Sequence, residues 1–172
     1  MLRWFVCIAA GFARVLSIIL RPIIAALEAI IALLVAMLVV VAFLQVVLRY
    51  GFHSSLFWAE EFIRFNFTWV ILLSAAYATE KHAHFAVEAV SWFLPATVER
   101  LRGIFVCGVI VAVSVFFVIV GLRFSMDNWI QQSLVVRVPM TIVYVSIPVA
   151  ATIMLLASVR DLMTILGRVS KG

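Results

Sequence analysis

The chain has 172 residues, of which 67% are hydrophobic and only 12% are charged, and its formal net charge is +5. Soluble domains carry about 25% charged residues, so the composition excludes an ordinary soluble domain and favours a protein of the lipid bilayer. The basic residues cluster where anionic membrane lipids would attract them, and the positive charge therefore does not call for a nucleic-acid partner.

Residues 1–21 precede the first long uncharged segment. Their three arginines, Arg3, Arg14 and Arg21, fall within about 20° of one another at 100° per residue and form one stripe along a helix. This pattern is typical of an amphipathic helix that lies in the plane of the membrane. We therefore predict an in-plane helix over residues 1–21, with the arginines and Trp4 as lipid-interface anchors. The alternative is a frayed basic leader.

Four segments are predicted to cross the bilayer, which makes the fold class all-α integral membrane. A spanning helix needs roughly 20 apolar residues, and three uncharged runs reach that length directly. The second span reaches it only if Glu60, Glu61 and Arg64 lie at headgroup level. The four predicted spans, which form one unit over residues 22–172, cover about 22–48, 56–80, 101–127 and 139–164.

Prolines and loops shape the predicted connections. Pro22 suits the first turn of the first span after a bend, and Pro148 is predicted to kink the fourth span. The loop over residues 81–102 is predicted to form a short interfacial helix or turn anchored by Trp92, with Pro95 just before the third helix.

The basic residues predict the orientation of the chain. Nine of the 13 lie in the N-terminal segment, the second loop and the C-terminal tail, and the other four are Arg49, Arg64, Arg123 and Arg137. The positive-inside rule places the nine on the cytoplasmic side, so both termini are predicted to face the cytoplasm. Tryptophans fit this topology, since Trp58 and Trp129 fall at the outer interface while Trp4 and Trp92 fall at the inner one.

The sequence offers little for chemistry within the membrane. No charged residue lies at the middle of a predicted span, although such residues mark most ion and proton pathways. His53 lies at the outer edge while His82 and His84 lie at the inner edge, so they cannot bracket a haem. Cys7 and Cys107 lack metal-ligand spacing. We predict no catalytic residue, no cofactor and no metal site, and therefore no enzyme.

Charged and aromatic residues gather instead at the outer ends of the helices. One interpretation is a solvated rim whose charges pair with one another, for instance Glu60 with Arg64 four residues later. The other is a docking surface that steers a charged partner. The candidate docking residues are Arg49, Trp58, Glu60, Glu61, Arg64 and Arg137.

Four short motifs follow one another along the chain: Arg49 to His53, Trp58 to Arg64, Lys81 to Glu88, and Val136 to Pro139 with Tyr144 and Ile147-Pro148 after it. With these motifs, residues 25–165 resemble the small membrane (Q-type) subunit of tripartite ATP-independent periplasmic (TRAP) transporters. Two positions depart from the family pattern, since His53 stands where the family tends to have asparagine and Glu88 where it tends to have aspartate.

The resemblance implies a division of labour among three proteins. The small subunit is expected to be a multi-pass scaffold of the bacterial inner membrane that packs beside a large, sodium-coupled transport subunit. It is also expected to help a periplasmic substrate-binding protein dock, for uptake of an organic acid by secondary active transport (symport). Two other functions are weighed against this one: the membrane anchor subunit of a respiratory enzyme, and a small exporter that acts alone.

Overall fold

A computed structural model of the chain describes the backbone of residues 2–54, 56–90 and 96–169, and the side chains of residue 11 and of residues 15–18, 20–54, 56–81, 98 and 101–165. The described backbone is helical apart from short connections. Its elements are α1 (Leu2–Gly51), α2 (Phe57–Val90), α3 (Ala96–Asp127), α4 (Thr141–Tyr144) and α5 (Ser146–Val169).

Four segments of these helices are long and apolar enough to cross a membrane: Val15–Gly51, Phe57–Lys81, Leu101–Asp127 and Thr141–Ile165. The prediction of an all-α membrane protein with four spans is therefore confirmed. The last three segments agree with the predicted spans to within a few residues. The first begins earlier than predicted because α1 passes through Pro22.

Two helices are longer than the sequence predicted. The 50 residues of α1 correspond to about 75 Å, more than twice a hydrocarbon core of about 30 Å. The predicted helix boundary at Pro22 is wrong, because this proline lies inside α1. The short interfacial helix or turn predicted at 81–102 is not a separate element in the described residues, because α2 itself continues to Val90. Helix α3 begins at Ala96, directly after Pro95 as expected.

The in-plane placement of residues 1–21 stays a prediction. Arg21 is exposed, and one stripe of leucines on the same helix, Leu16, Leu20 and Leu27, is buried. The side chains of Arg3, Trp4 and Arg14 lie outside the described residues, as does Trp92.

Helix α5 lies at the centre of the bundle. It packs against α1, α2 and α3, whereas α2 and α3 barely touch each other. Small side chains of α5 are buried, among them Ala150, Ala151 and Ala157, and small residues let membrane helices approach closely. The result is a groove between α2 and α3 whose floor is α5.

The fourth span is interrupted near its start, as Pro148 predicted. Proline has no N–H to donate to the carbonyl four residues earlier, and the helix breaks at Val145, between α4 and α5. The Ser146 hydroxyl donates to the Val143 carbonyl beside the break. Helix α3 meets α5 here, because Gly121 lies directly against Pro148.

Candidate functional site

One end of the bundle, the loop end, carries the connection between α3 and α4. Residues 128–140, the α3–α4 loop, fold back on themselves: the Ser133 N–H donates to the Val138 carbonyl (3.0 Å) and the Met140 N–H donates to the Gln131 carbonyl (2.9 Å). Arg137 closes the return with a positive φ of 54°. A non-glycine residue in this region is uncommon, so the loop has a specific, internally bonded shape.

Glu61 fastens this loop to α2. Its carboxylate accepts hydrogen bonds from the Ser133 hydroxyl and from the backbone N–H groups of Val135 (3.2 Å) and Val136 (3.0 Å). Glu61 is only 9% exposed. Hydrogen bonds to an ionised acceptor are stronger than neutral ones, so this candidate docking residue holds the loop and does not offer its charge to solvent.

The other candidate residues of the loop end lie at the surface. Arg49, Glu60, Arg64 and Arg137 are exposed, and Trp58 is exposed while its ring meets Phe62 edge to face at 6.3 Å. The predicted ion pair between Glu60 and Arg64 is absent among the described side chains. The backbone carbonyl of Arg64 accepts a hydrogen bond from the Thr68 hydroxyl (3.0 Å).

Sequence reasoning missed the apolar tip of the α3–α4 loop. Leu134 is 96% exposed and Ile130 is 88% exposed, with the interface residue Trp129 beside them. Large apolar groups presented beside charged ones are typical of surfaces that meet another molecule. The sequence does not reveal this tip, because its apolar residues resemble the start of the fourth span. The tip is recognised only from the solvent exposure of its side chains.

His53 ends α1 in the left-handed conformation, with a φ of 51°. The N–H of the next residue, Ser54, returns to the Leu48 carbonyl (3.1 Å) and satisfies one of the last acceptors of the helix. Asparagine and histidine are both enriched at positive φ, which accounts for histidine at a position where the resembled family tends to have asparagine. The side chain of His53 itself is exposed.

A second polar cluster lies at the opposite end of the bundle and was also missed. Arg160 of α5 is 9% exposed and pairs with Glu80 of α2. Its Nη2 and Nε atoms both donate to Asp161 Oδ1, at 2.7 Å and 3.0 Å. The cluster ties α2 to α5. In the sequence, Arg160 contributed only to the count of basic residues that predicts the orientation.

Among the described residues, a further polar contact joins α1 and α2. Asn66 of α2 donates to the Leu34 carbonyl of α1 at 3.0 Å. Cys107 is buried with a free thiol. Within the described residues, no three histidine, cysteine, aspartate or glutamate side chains are grouped as metal ligands would be. The side chains of His82 and His84 lie outside those residues.

Replacing Glu61 by alanine is expected to free the α3–α4 loop without unfolding the helices. Three donors lose their acceptor, while the loop keeps its own backbone bonds and the bond from the Thr141 hydroxyl to the Asn128 carbonyl (3.3 Å). We expect amide hydrogen exchange at Val135 and Val136 to rise about tenfold or more, measured by mass spectrometry on the purified chain. The neighbouring variant Glu60→Ala is the control, and equal exchange in both variants would contradict the role of Glu61.

Comparison with known proteins gives consistent matches. The profile of the DctQ component of tripartite ATP-independent periplasmic transporters matches residues 37–168. A C4-dicarboxylate TRAP transporter small permease protein from Vibrio cholerae is 29% identical over 77 residues, which cover 45% of this chain and 33% of that protein. A protein of Haemophilus influenzae named as a TRAP transporter small permease is 29% identical over 109 residues, 63% of each chain. The match thus spans less than two thirds of either relative.

Proposed function

The chain belongs to the DctQ component family of tripartite ATP-independent periplasmic (TRAP) transporters, and we propose that it is the small scaffold subunit of such a transporter. In this role it packs beside a large sodium-coupled membrane subunit. It also helps a periplasmic substrate-binding protein to dock, so that an organic acid is taken up. One relative is named for C4-dicarboxylates, which supports a carboxylate-bearing substrate.

The observation that carries the proposal is where the polar groups of the bundle lie. The centres of the four spans hold no charged residue, and a transport pathway through a single chain usually needs such residues. The charges lie at the two ends, where one set ties helices together and the other surrounds the α3–α4 loop. This distribution supports a scaffold with a contact surface at the loop end.

The loop end faces the periplasm in this proposal. An even number of crossings places both termini on one side, and nine of the 13 basic residues accompany them. The positive-inside rule then makes that side cytoplasmic. The binding protein would meet the opposite side, which carries the α3–α4 loop.

The docking surface consists of the α3–α4 loop and the exposed residues around it, Arg49, Trp58, Glu60 and Arg64. A loop held in one shape loses little conformational entropy when a partner binds, and Glu61 holds this one by accepting from Val135 and Val136. Charges on the rim steer the encounter with a partner, while the exposed Leu134 supplies an apolar contact.

Reversing one exposed charge of this surface is expected to weaken docking without affecting assembly. In Arg137→Glu or Glu60→Lys, we expect the binding-protein concentration for half-maximal uptake to rise about tenfold, because rim charges mainly set the association rate. Uptake is measured in proteoliposomes that contain the full membrane complex, over a range of binding-protein concentrations.

The matched control is Lys81→Glu, which reverses an exposed charge at the opposite end of the bundle. It should leave the half-maximal concentration unchanged. The amount of assembled complex is quantified for every variant. Uptake curves for Arg137→Glu and Glu60→Lys that coincide with the parent curve, at equal assembly, would reject the docking surface.

A further inference from the structure

A cavity of about 460 Å³ opens between the middle parts of the membrane-spanning segments of α2 and α3, with α5 as its floor. Its walls include Thr68 and Ala75 of α2 and Val113 and Phe117 of α3, and Ala150 forms part of the floor. Apart from the hydroxyl groups of Thr68 and Ser114, the lining side chains are apolar. The cavity exists because α2 and α3 both pack on α5 and diverge from each other.

This space needs an apolar occupant. Its volume is within the roughly 300–1,000 Å³ of small-molecule sites, and an empty gap of that size would forfeit dispersion contacts along its walls. Water is a poor occupant, because an ordered water needs two to four polar partners. The Thr68 hydroxyl is already bonded to the Arg64 carbonyl, and the other lining hydroxyl, that of Ser114, offers a water only one partner.

A cation lies on α2 about one helical turn before the first lining residue, Thr68. Arg64 shares one helix stripe with Thr68, Ile71 and Ala75, which follow it by four, seven and eleven residues. Its side chain is exposed and forms no ion pair with a described acidic side chain. From Arg64 to Ala75 the helix rises about 16 Å, close to half of a hydrocarbon core of about 30 Å. The stripe therefore covers the depth of one leaflet.

We propose that a phospholipid of the leaflet at the loop end binds here, with one acyl chain in the groove between α2 and α3 and its phosphate on Arg64. A guanidinium matches a phosphate with two parallel N–H donors. The apolar lining and the length of the stripe fit an acyl chain of that leaflet. This lipid site does not depend on the proposed transport function.

The position of Arg64 favours a phospholipid over a transmembrane helix of another subunit. An acyl chain matches the apolar lining and a phosphate matches the exposed guanidinium, so one lipid molecule satisfies both. The apolar surface of a spanning helix would leave the guanidinium without a counter-charge.

Photo-crosslinking tests the site in the purified full-length chain. The chain is reconstituted in vesicles of phosphatidylethanolamine and phosphatidylglycerol that contain a trace of phosphatidylglycerol with a diazirine on its acyl chain. We expect labelling of residues 68–75 and 113–117 well above that of the lipid-exposed residues 35–44 of α1. Labelled peptides are identified by mass spectrometry, and circular dichroism verifies that each variant is folded.

Two variants with matched controls separate the parts of the site. Ala75→Trp fills the groove and should lower labelling of residues 113–117 about tenfold, whereas Ala112→Trp, exposed on α3 outside the lining, should leave it unchanged. Arg64→Gln should lower the same labelling about tenfold through the lost phosphate contact. Arg123→Gln, which removes an exposed arginine from α3, should not.

Three results would overturn the lipid site. The first is labelling spread evenly over all exposed helix faces, as expected for bulk lipid. The second is unchanged labelling in Arg64→Gln when Ala75→Trp lowers it. The third is a complex with the large membrane subunit in which the groove is crosslinked to that subunit and is not labelled by lipid. None of these readouts involves uptake, so a failure of the lipid site is distinguishable from a failure of the docking proposal, although both name Arg64.

Discussion

Replacing Arg160 by glutamine is expected to lower the free energy of unfolding by about 3–5 kcal/mol, the usual cost of breaking a buried ion pair by removing one partner. Arg160 is 9% exposed and is the counter-charge of Glu80 on α2 and of the adjacent Asp161. Without it, two carboxylates keep their desolvation cost and lose the positive charge between them. Unfolding in detergent micelles, followed by circular dichroism, measures the change.

Related variants test whether the effect comes from the cluster. Glu80→Gln should cost less than Arg160→Gln, because Arg160 keeps its bonds to Asp161. The double variant should cost less than the sum of the two, since contacting residues couple. Arg123→Gln removes an exposed arginine and should stay within about 0.5 kcal/mol of the parent. An Arg160→Gln protein as stable as Arg123→Gln would show that the cluster adds nothing.

The four spans could be predicted from the sequence because the bilayer imposes one simple requirement, a long run without charge. The ends of the helices could not be predicted in the same way. Glu80 and Lys81 end the apolar run of the second span, yet α2 continues to Val90. Hydropathy reports where a chain leaves lipid, whereas a helix continues in water as long as its backbone bonds are made.

The roles of individual charges depend on contacts far apart in the sequence. Glu60 and Glu61 are adjacent and chemically equivalent, and about 100° of helix rotation separates them. Only the α3–α4 loop, more than 70 residues later, decides that Glu61 turns inward to Ser133. Arg160 is similar, because its partner Glu80 lies 80 residues away. A charged residue near a helix end therefore predicts where the helix meets the membrane interface, but it does not predict which residue the charge will contact.

The histidine at position 53 illustrates the opposite case, in which the structure explains a departure from a motif. The side chains of histidine and asparagine suggest no shared role at this position. The backbone does, because a φ of 51° is accessible to both residues. The motif at the end of α1 is therefore explained by the backbone conformation that terminates the helix.

A Gly121→Ala variant is expected to be destabilised by about 1–3 kcal/mol, the usual cost of overpacking. A Cβ atom at this position would lie 2.9 Å from Pro148 Cδ and 3.2 Å from the Pro148 nitrogen. Neither atom can yield easily, because the proline ring is rigid and the nitrogen belongs to the backbone of the central helix. The added methyl group would therefore push α3 away from α5.

Gly108→Ala on the same helix is the matched control, since a Cβ atom there would meet nothing within 4 Å. Alanine is the better helix former, so this variant should be stabilised by roughly 0.5–1 kcal/mol. Gly103→Ala should lie between the two, because its nearest neighbour, at 3.3 Å, is the flexible end of Ile165. Unfolding midpoints of Gly121→Ala and Gly108→Ala that shift in the same direction would contradict the close contact. Opposite shifts would show that α3 and α5 are in close contact at Gly121 and Pro148. Packing of α3 would then stabilise α5 where Pro148 cannot donate a helix hydrogen bond.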